Sequence, residues 1–359
     1  MLEQLVGNDR VKQLLRRTLE AGRLPGAMLF AGEEGVGKKL FALEIARAFN
    51  CRSPKGVEGC GECPPCVRIS RFNYPQSAEA DDWKQIIWTD HPDVGMVVAP
   101  KRLLLVDQMR LIEREANFRP FEGKARFFLI EDADKLNDPS ANALLKILEE
   151  PPPTSHIILL TSRPAMILPT IRSRCQMIRF APLEVGEIEK HLVDHKIAKP
   201  KEAQVLARVA RGSLGRAINQ DFEDYVPQRD AMMRVLKALA SADDRTQLLK
   251  SAEDLNSAAV KDEFESRLDI LETLVRDAWI LSMNAPESEV VNADLIGELR
   301  QIAQKLDTVR PARWISQIEE MREQLVVNIN RKASTDALFL TMSATSSAVP
   351  APKRRFLIK

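Results

Sequence analysis

The segment Gly32-Glu33-Glu34-Gly35-Val36-Gly37-Lys38-Lys39 follows the apolar run Ala27–Phe30 and precedes a helical run from Leu40 to Phe49. A strand, a glycine loop and a helix N-terminus in that order form a phosphate cradle. The glycines let backbone N–H groups turn inward, and the lysine reaches the β and γ oxygens of a nucleotide. Gly32, Gly35, Gly37 and Lys38 are therefore candidate nucleotide-binding residues. The motif then asks for Ser or Thr, whose hydroxyl ligates Mg²⁺, and this chain has Lys39 instead. An ammonium has no lone pair for a metal and repels it. The loop keeps the shape of a nucleotide site, and its metal chemistry is compromised.

The surrounding pattern fits that loop. Residues 1–180 alternate strand-like and helix-like runs, which predicts an α/β domain with a parallel sheet. Strands are expected at Ala27–Phe30, Val94–Val98, Arg126–Ile130, His156–Leu160 and Gln176–Phe180. Helices are expected at Asp9–Ala21, Lys38–Asn50, Val106–Asn117 and Pro139–Glu150, the last stopped by Pro151-Pro152-Pro153. Residues 181–220 read as short helices interrupted by Gly212-Ser213-Leu214-Gly215. A break is expected near Asp221–Gln228, and helical periodicity then dominates, so 221–345 reads as an all-α domain. The Pro/Ala/Ser-rich and then basic end, 346–359, reads as a disordered tail, with Lys353-Arg354-Arg355-Phe356-Leu357 as a weak interaction motif. Pro75–Asp90 reads as an insertion without a clear purpose.

Four of the five cysteines fall between Cys51 and Cys66, spaced Cys51-x8-Cys60-x2-Cys63-x2-Cys66. Two thiolates separated by two residues bite one tetrahedral ion, and four complete a closed Zn²⁺ shell with no position left for water. The reading is a structural zinc module at 51–66, with Arg52, Lys55 and Arg68 placed to offset its negative charge. No 18-residue apolar run exists and the N-terminus lacks a signal-like pattern, so the expected location is cytoplasmic, where clustered cysteines favour metal over disulfides. A net charge of +1 argues against an autonomous, salt-driven DNA binder.

Further candidates lie at strand ends. The run Arg126-Phe127-Phe128-Leu129-Ile130 leads into Glu131 and Asp132, where an ATPase places one carboxylate for Mg²⁺ and another to activate water. The usual order is Asp then Glu, and the reversal shifts each carboxylate by about one methylene; roughly 1 Å of misplacement can cost on the order of 100-fold in rate. Thr161 and Ser162 follow the next strand and read equally as γ-phosphate sensors or as turn residues. Arg174, in Ile171-Arg172-Ser173-Arg174-Cys175, is placed to donate a bidentate fork to a neighbour's phosphate. His191 and His195 are spaced for one helix face but lack a third ligand, and read as solvated.

Val6-Gly7-Asn8, the Gly32–Lys39 loop, the four-cysteine spacing and the Asn142–Pro152 helix with its Pro-Pro end together resemble the bacterial clamp-loader subunits, a branch of the AAA+ proteins. Ser173-Arg174-Cys175 is similar to that family's arginine-finger motif. The resemblance is strong over residues 1 to about 220 and continues weakly through Arg276-Asp277, Asn292-Ala293-Asp294 and Val327-Asn328-Ile329-Asn330. It implies an AAA+ domain, a small helical lid and a helical collar that joins five subunits, delta and gamma/tau among them, around a sliding clamp and primed DNA. The motor subunits gamma and tau keep Ser/Thr after the loop lysine and an Asp-Glu pair. They also carry a sensor arginine in Gly-Ser-x-Arg, where this chain has Gly215, with Arg216 one residue late. Within the family these departures imply a stator that gives a finger in trans and does not hydrolyse ATP itself. An active ATPase, either a motor subunit or a stand-alone remodeller, is the alternative reading.

Overall fold

Five consecutive apolar residues, Ala27–Ala31, form β1, and all five are buried. Such an unbroken run suits a strand covered on both faces. In the computed structural model, which describes residues 1–76, 79, 81–241, 245–256, 263–325 and 331–343, β1 lies inside a six-stranded sheet of order β2-β3-β4-β5-β1-β6. The other strands are β2 (Ile87–Trp88), β3 (Val94–Val97), β4 (Arg126–Ile130), β5 (Ser155–Thr161) and β6 (Gln176–Arg179). All pairs are parallel except β2 with β3.

Alternate residues of β1 feed two cores. Met28 and Phe30 pack with Val11, Leu15, Phe41 and Ile45 from α1 (Asp9–Glu20) and α2 (Lys38–Asn50). Ala27 and Leu29 pack with Met109, Ile112, Leu144 and Ile147 from α4 (Val106–Ala116) and α5 (Asp138–Glu149). The sheet is therefore sandwiched between helices, the α/β layering expected of an AAA+ domain. Because β5 separates β1 from β4, the carboxyl ends of the three strands bring the glycine loop, Thr161 and Glu131 side by side. Ala31 pairs with Thr161, and Ile130 with Leu159. Open α/β sheets bind ligands at this edge.

The chain divides into two compact units, Met1–Asn219 and Gln220–Lys359. The first continues beyond the sheet into α7 (Val185–Asp194), α8 (Pro200–Val209) and α9 (Leu214–Asn219). The described part of the second is helical: α10 (Phe222–Ser241), α11 (Arg245–Leu255), α12 (Phe264–Ser282), α13 (Ile296–Ala303), α14 (Arg310–Leu325) and α15 (Arg331–Ser343). The fully buried Asp277 accepts from the backbone N–H groups of Val291 and Asn292 at 3.0 and 2.8 Å, and from the Asn292 side chain at 2.8 Å. Arg229 makes a two-pronged pair with Asp294 at 3.0 and 2.7 Å. Asp277, Asn292 and Asp294 are thus scaffold residues.

Two expectations need correction. The break near Asp221–Gln228 is narrower, because α10 starts at Phe222 and runs through Pro227. A proline at the sixth helical position removes one intrahelical bond, and the buried Tyr225, Met232 and Leu236 hold the segment helical against that loss. Pro75–Asp90 is no mere insertion, since it ends in the antiparallel edge strand β2. The tail 346–359 and Val327–Asn330 lie outside the described residues.

Candidate functional site

The four thiols of Cys51, Cys60, Cys63 and Cys66 converge, with all sulfurs within 4.8 Å of one another. Cys51 Sγ and Cys63 Sγ are 3.7 Å apart. A disulfide would need about 2.05 Å, whereas a tetrahedron of Zn–S bonds of about 2.3 Å has an edge of about 3.8 Å. The donor set and its spacing fit one metal ion. Backbone N–H groups already point at sulfur: Ser53 and Cys60 at Cys51, and Cys63 at Cys60, each at 3.3 Å. The N–H of Cys63 holds the Cys60 thiol below its usual pKa. At Cys63 burial opposes ionisation, and the N–H groups of Arg52 and Cys66 outweigh it, bringing that thiol to about 6. These donors favour the thiolate at Cys60 and Cys63, whereas burial wins at Cys51 and Cys66 and pushes those thiols up.

α3 (Pro64–Ile69) carries the last of the four cysteines, and the module is stapled to the sheet domain. Glu58 accepts from the Leu2 N–H at 2.9 Å and pairs with Arg16 at 2.7 Å, while Arg47 donates to the Cys66 carbonyl at 3.1 Å. Two of the cations expected to neutralise the cluster are committed elsewhere. Lys55 pairs with Glu62 and Arg68 with Glu122. Backbone donors do part of the work that the sequence reading gave to side-chain charge.

At the glycine loop, Gly35 and Gly37 have φ of +76° and +97°, the left-handed region that lets the chain turn into α2. Lys38 is folded over the loop, donating to the carbonyls of Gly32 and Glu33 at 2.7 Å each. Burial pulls its pKa down, opposed by Glu34, Asp132, Glu33 and Asp134. Lys39 stands where the motif asks for a metal-ligating hydroxyl. Its ammonium lies 3.3 Å from Glu131 Oε2 and 3.0 Å from the Tyr74 hydroxyl, 5.2 and 5.6 Å from the centres of the Phe72 and Tyr74 rings. A cation belonging to the chain occupies the carboxylate that a metal would use. Asp132 is left-handed, with φ +49°, and pairs with Lys135 at 2.7 Å. Thr161 is buried and donates to Asp134 at 2.6 Å; Ser162 beside it is half-buried.

The Gly212–Gly215 segment closes directly on this loop. The Gly215 N–H donates to the Gly35 carbonyl at 2.9 Å. A Cβ on Gly35 would sit 2.2 Å from Ser213 Oγ, and one on Gly215 would sit 2.9 Å from Gly35 Cα. A side chain at 35 must displace the Ser213 hydroxyl, and one at 215 must push the Gly35 backbone, so an arginine at 215 is sterically opposed. Arg216 is exposed, and its N–H is capped by Ser213 Oγ at 3.1 Å. Gly215→Ala is expected to destabilise the first unit by about 1–3 kcal/mol through this overpacking. Thermal unfolding measures it, and an unchanged midpoint would show that the contact yields freely.

Arg174 is exposed after the short α6 (Pro169–Arg172), one residue before the half-buried Cys175. Burial drives the Cys175 thiol up to about 12, which leaves it unreactive. His191 and His195 stack at 4.0 Å on one helix face. They fall in no metal-ligating cluster among the described residues, the cysteine group being the one found. Sequence reasoning did not anticipate Tyr74, one of two tyrosines in the chain, or the contact of Ser213 and Gly215 with Gly35. Among the described residues, no helix is long and apolar enough to cross a membrane.

Family models described as "DNA polymerase III, delta subunit" and "DNA polymerase III, delta subunit, C terminal" match residues 7–184 and 224–338. DNA polymerase III subunit delta' of Bacillus subtilis is 26% identical over 333 residues, 93% of this chain and 95% of that protein. The Escherichia coli delta' subunit is 29% identical over 324 residues, 89% of this chain and 90% of that protein. The tau subunit of E. coli is 28% identical over 311 residues, 83% of this chain but 43% of the longer tau. With the two models dividing the chain between them and delta' proteins matching it at nearly full length on both sides, the chain belongs to the DNA polymerase III delta/delta' subunit family.

Proposed function

We propose that this chain works in DNA replication as the delta' subunit, the stator, of a DNA polymerase III clamp loader. In this reading it joins delta and gamma/tau in a hetero-pentamer that loads a sliding clamp onto primed DNA. It touches DNA through the complex, in the cytoplasm, and gives Arg174 in trans to the ATP site of a neighbouring subunit. The four cysteines hold a structural Zn²⁺. Residues 181–220 serve as the lid and 221–345 as the collar. The observation that carries the assignment is the Lys39–Glu131 pair at 3.3 Å. With an ammonium where Mg²⁺ would bridge loop and carboxylate, the chain keeps the shape of a motor without its metal. Asp132 is also tied to Lys135, so no free carboxylate stands at the usual place to activate water.

The purified chain is expected to turn over Mg²⁺-ATP no faster than its Lys38→Ala variant, while being required for clamp loading by a complex reconstituted with delta and gamma/tau. Turnover at the rate of a motor subunit, lost in Lys38→Ala, would overturn the stator reading. A complex that loads clamps equally well without the chain would overturn the subunit assignment.

A further inference from the structure

Arg174 is already held by its own chain. Its backbone N–H donates to the Ile171 carbonyl at 3.0 Å, and its Nη1 donates to the Thr170 carbonyl at 2.9 Å. Its Nη2 lies 2.5 Å from Glu149 Oε1. Glu149 is the last residue of α5, which stops before Pro151. A carboxylate at a helix C-terminus faces the partial negative charge of unpaired carbonyls, an unfavourable place unless a cation stands beside it. Here the cation is the guanidinium, and half of the Glu149 side chain and a third of that of Arg174 stay exposed. We propose that Glu149 is a positioning residue for Arg174: it fixes the direction in which the guanidinium leaves the surface. This rests on Arg174 acting as a finger in trans.

The chemistry of the pair suits that role. A guanidinium carries five N–H donors in a rigid plane. The Thr170 carbonyl accepts from Nη1 and Glu149 from Nη2, which leaves the other donors of the group for phosphate oxygens. Without Glu149 the side chain samples several rotamers, and a finger displaced by about 1 Å loses much of its effect on a transition state.

The test is a double-mutant cycle on the DNA- and clamp-stimulated ATPase of the reconstituted complex. Glu149→Ala is expected to lower kcat about 3–10-fold, a fraction of the roughly 100-fold that 1 Å can cost, with KM for ATP nearly unchanged because a finger acts on the transition state. Glu149→Gln, which keeps the acceptor but not the charge, should fall between. On an Arg174→Ala background, Glu149→Ala should cost nothing more. Full activity of Glu149→Ala beside a slow Arg174→Ala, or an equal further loss on the Arg174→Ala background, would overturn the positioning role alone. An unaltered rate with Arg174→Ala would instead remove the finger reading on which it rests.

Discussion

Cys63→Ala is expected to take the protein from one zinc ion per chain to almost none and to leave the 51–69 segment unfolded at ordinary temperatures. Apart from Ile69, which packs into the core of the sheet domain, the core of that segment consists of the cysteines themselves: Cys51, Cys60 and Cys66 are the buried residues of its cluster, with Cys63 packed against them. With so little apolar surface the module gains almost nothing from the hydrophobic effect, and metal binding must supply its folding free energy. Structural zinc contributes roughly 10–16 kcal/mol of apparent folding energy in small modules. Losing one of four ligands forfeits most of it. The damage should spread through Glu58 and Arg47, which tie the module to Leu2, Arg16 and the Cys66 carbonyl, and appear as poor solubility or failed assembly. Metal analysis by mass spectrometry after gel filtration, with X-ray absorption to count sulfur ligands, is the measurement. Near-zero zinc in wild-type protein prepared with metal present would sink the proposal.

What was legible in the sequence follows from how each feature is encoded. Strands buried on both faces must be continuously apolar, so β1, β4 and β5 were visible as runs. The cysteine cluster was visible because its chelating geometry is local, within sixteen positions. Features made by distant partners were not. Lys39 and Glu131 are 92 positions apart; the sequence showed only that each departs from its motif, not that the two departures compensate. The sheet supplies the missing fact by setting the end of β4 near the start of α2. Tyr74, which helps to cage the Lys39 ammonium, lay in a stretch without periodicity. Gly215 read as the absence of an arginine, whereas in space it is the point where one backbone rests on another. Strand β2 has two residues, too few for any alternation to register.

Arg174→Ala should slow DNA- and clamp-stimulated ATP hydrolysis by the reconstituted complex while leaving folding, zinc and ring assembly intact. The side chain is exposed, and its intramolecular partners are a helix-end carboxylate and one carbonyl, so truncation exposes nothing apolar and orphans no buried group. Exposed changes of this kind usually fall within about 0.5 kcal/mol. The effect on chemistry is of another order. Arginines that reach a γ-phosphate in phosphoryl-transfer enzymes contribute about 10³–10⁵ in rate by stabilising charge on the transferring group. Only one site of the ring would be served by this chain, so total turnover should fall by less than that while the served site falls silent. Arg174→Lys should restore little. An ammonium is a point charge without the planar fork, and it can meet Glu149 or a phosphate oxygen but cannot span two of them in one plane. Clamp loading should fall in step with hydrolysis if firing at that site is obligatory, and less if the other sites suffice. The measurement is the ATPase and loading rate of complexes that differ only in this residue, with assembly checked by gel filtration. Unchanged rates would make Arg174 a surface arginine paired with Glu149 and nothing more, and would remove the active half of the proposed function while leaving the stator half to stand on Lys39 and Glu131.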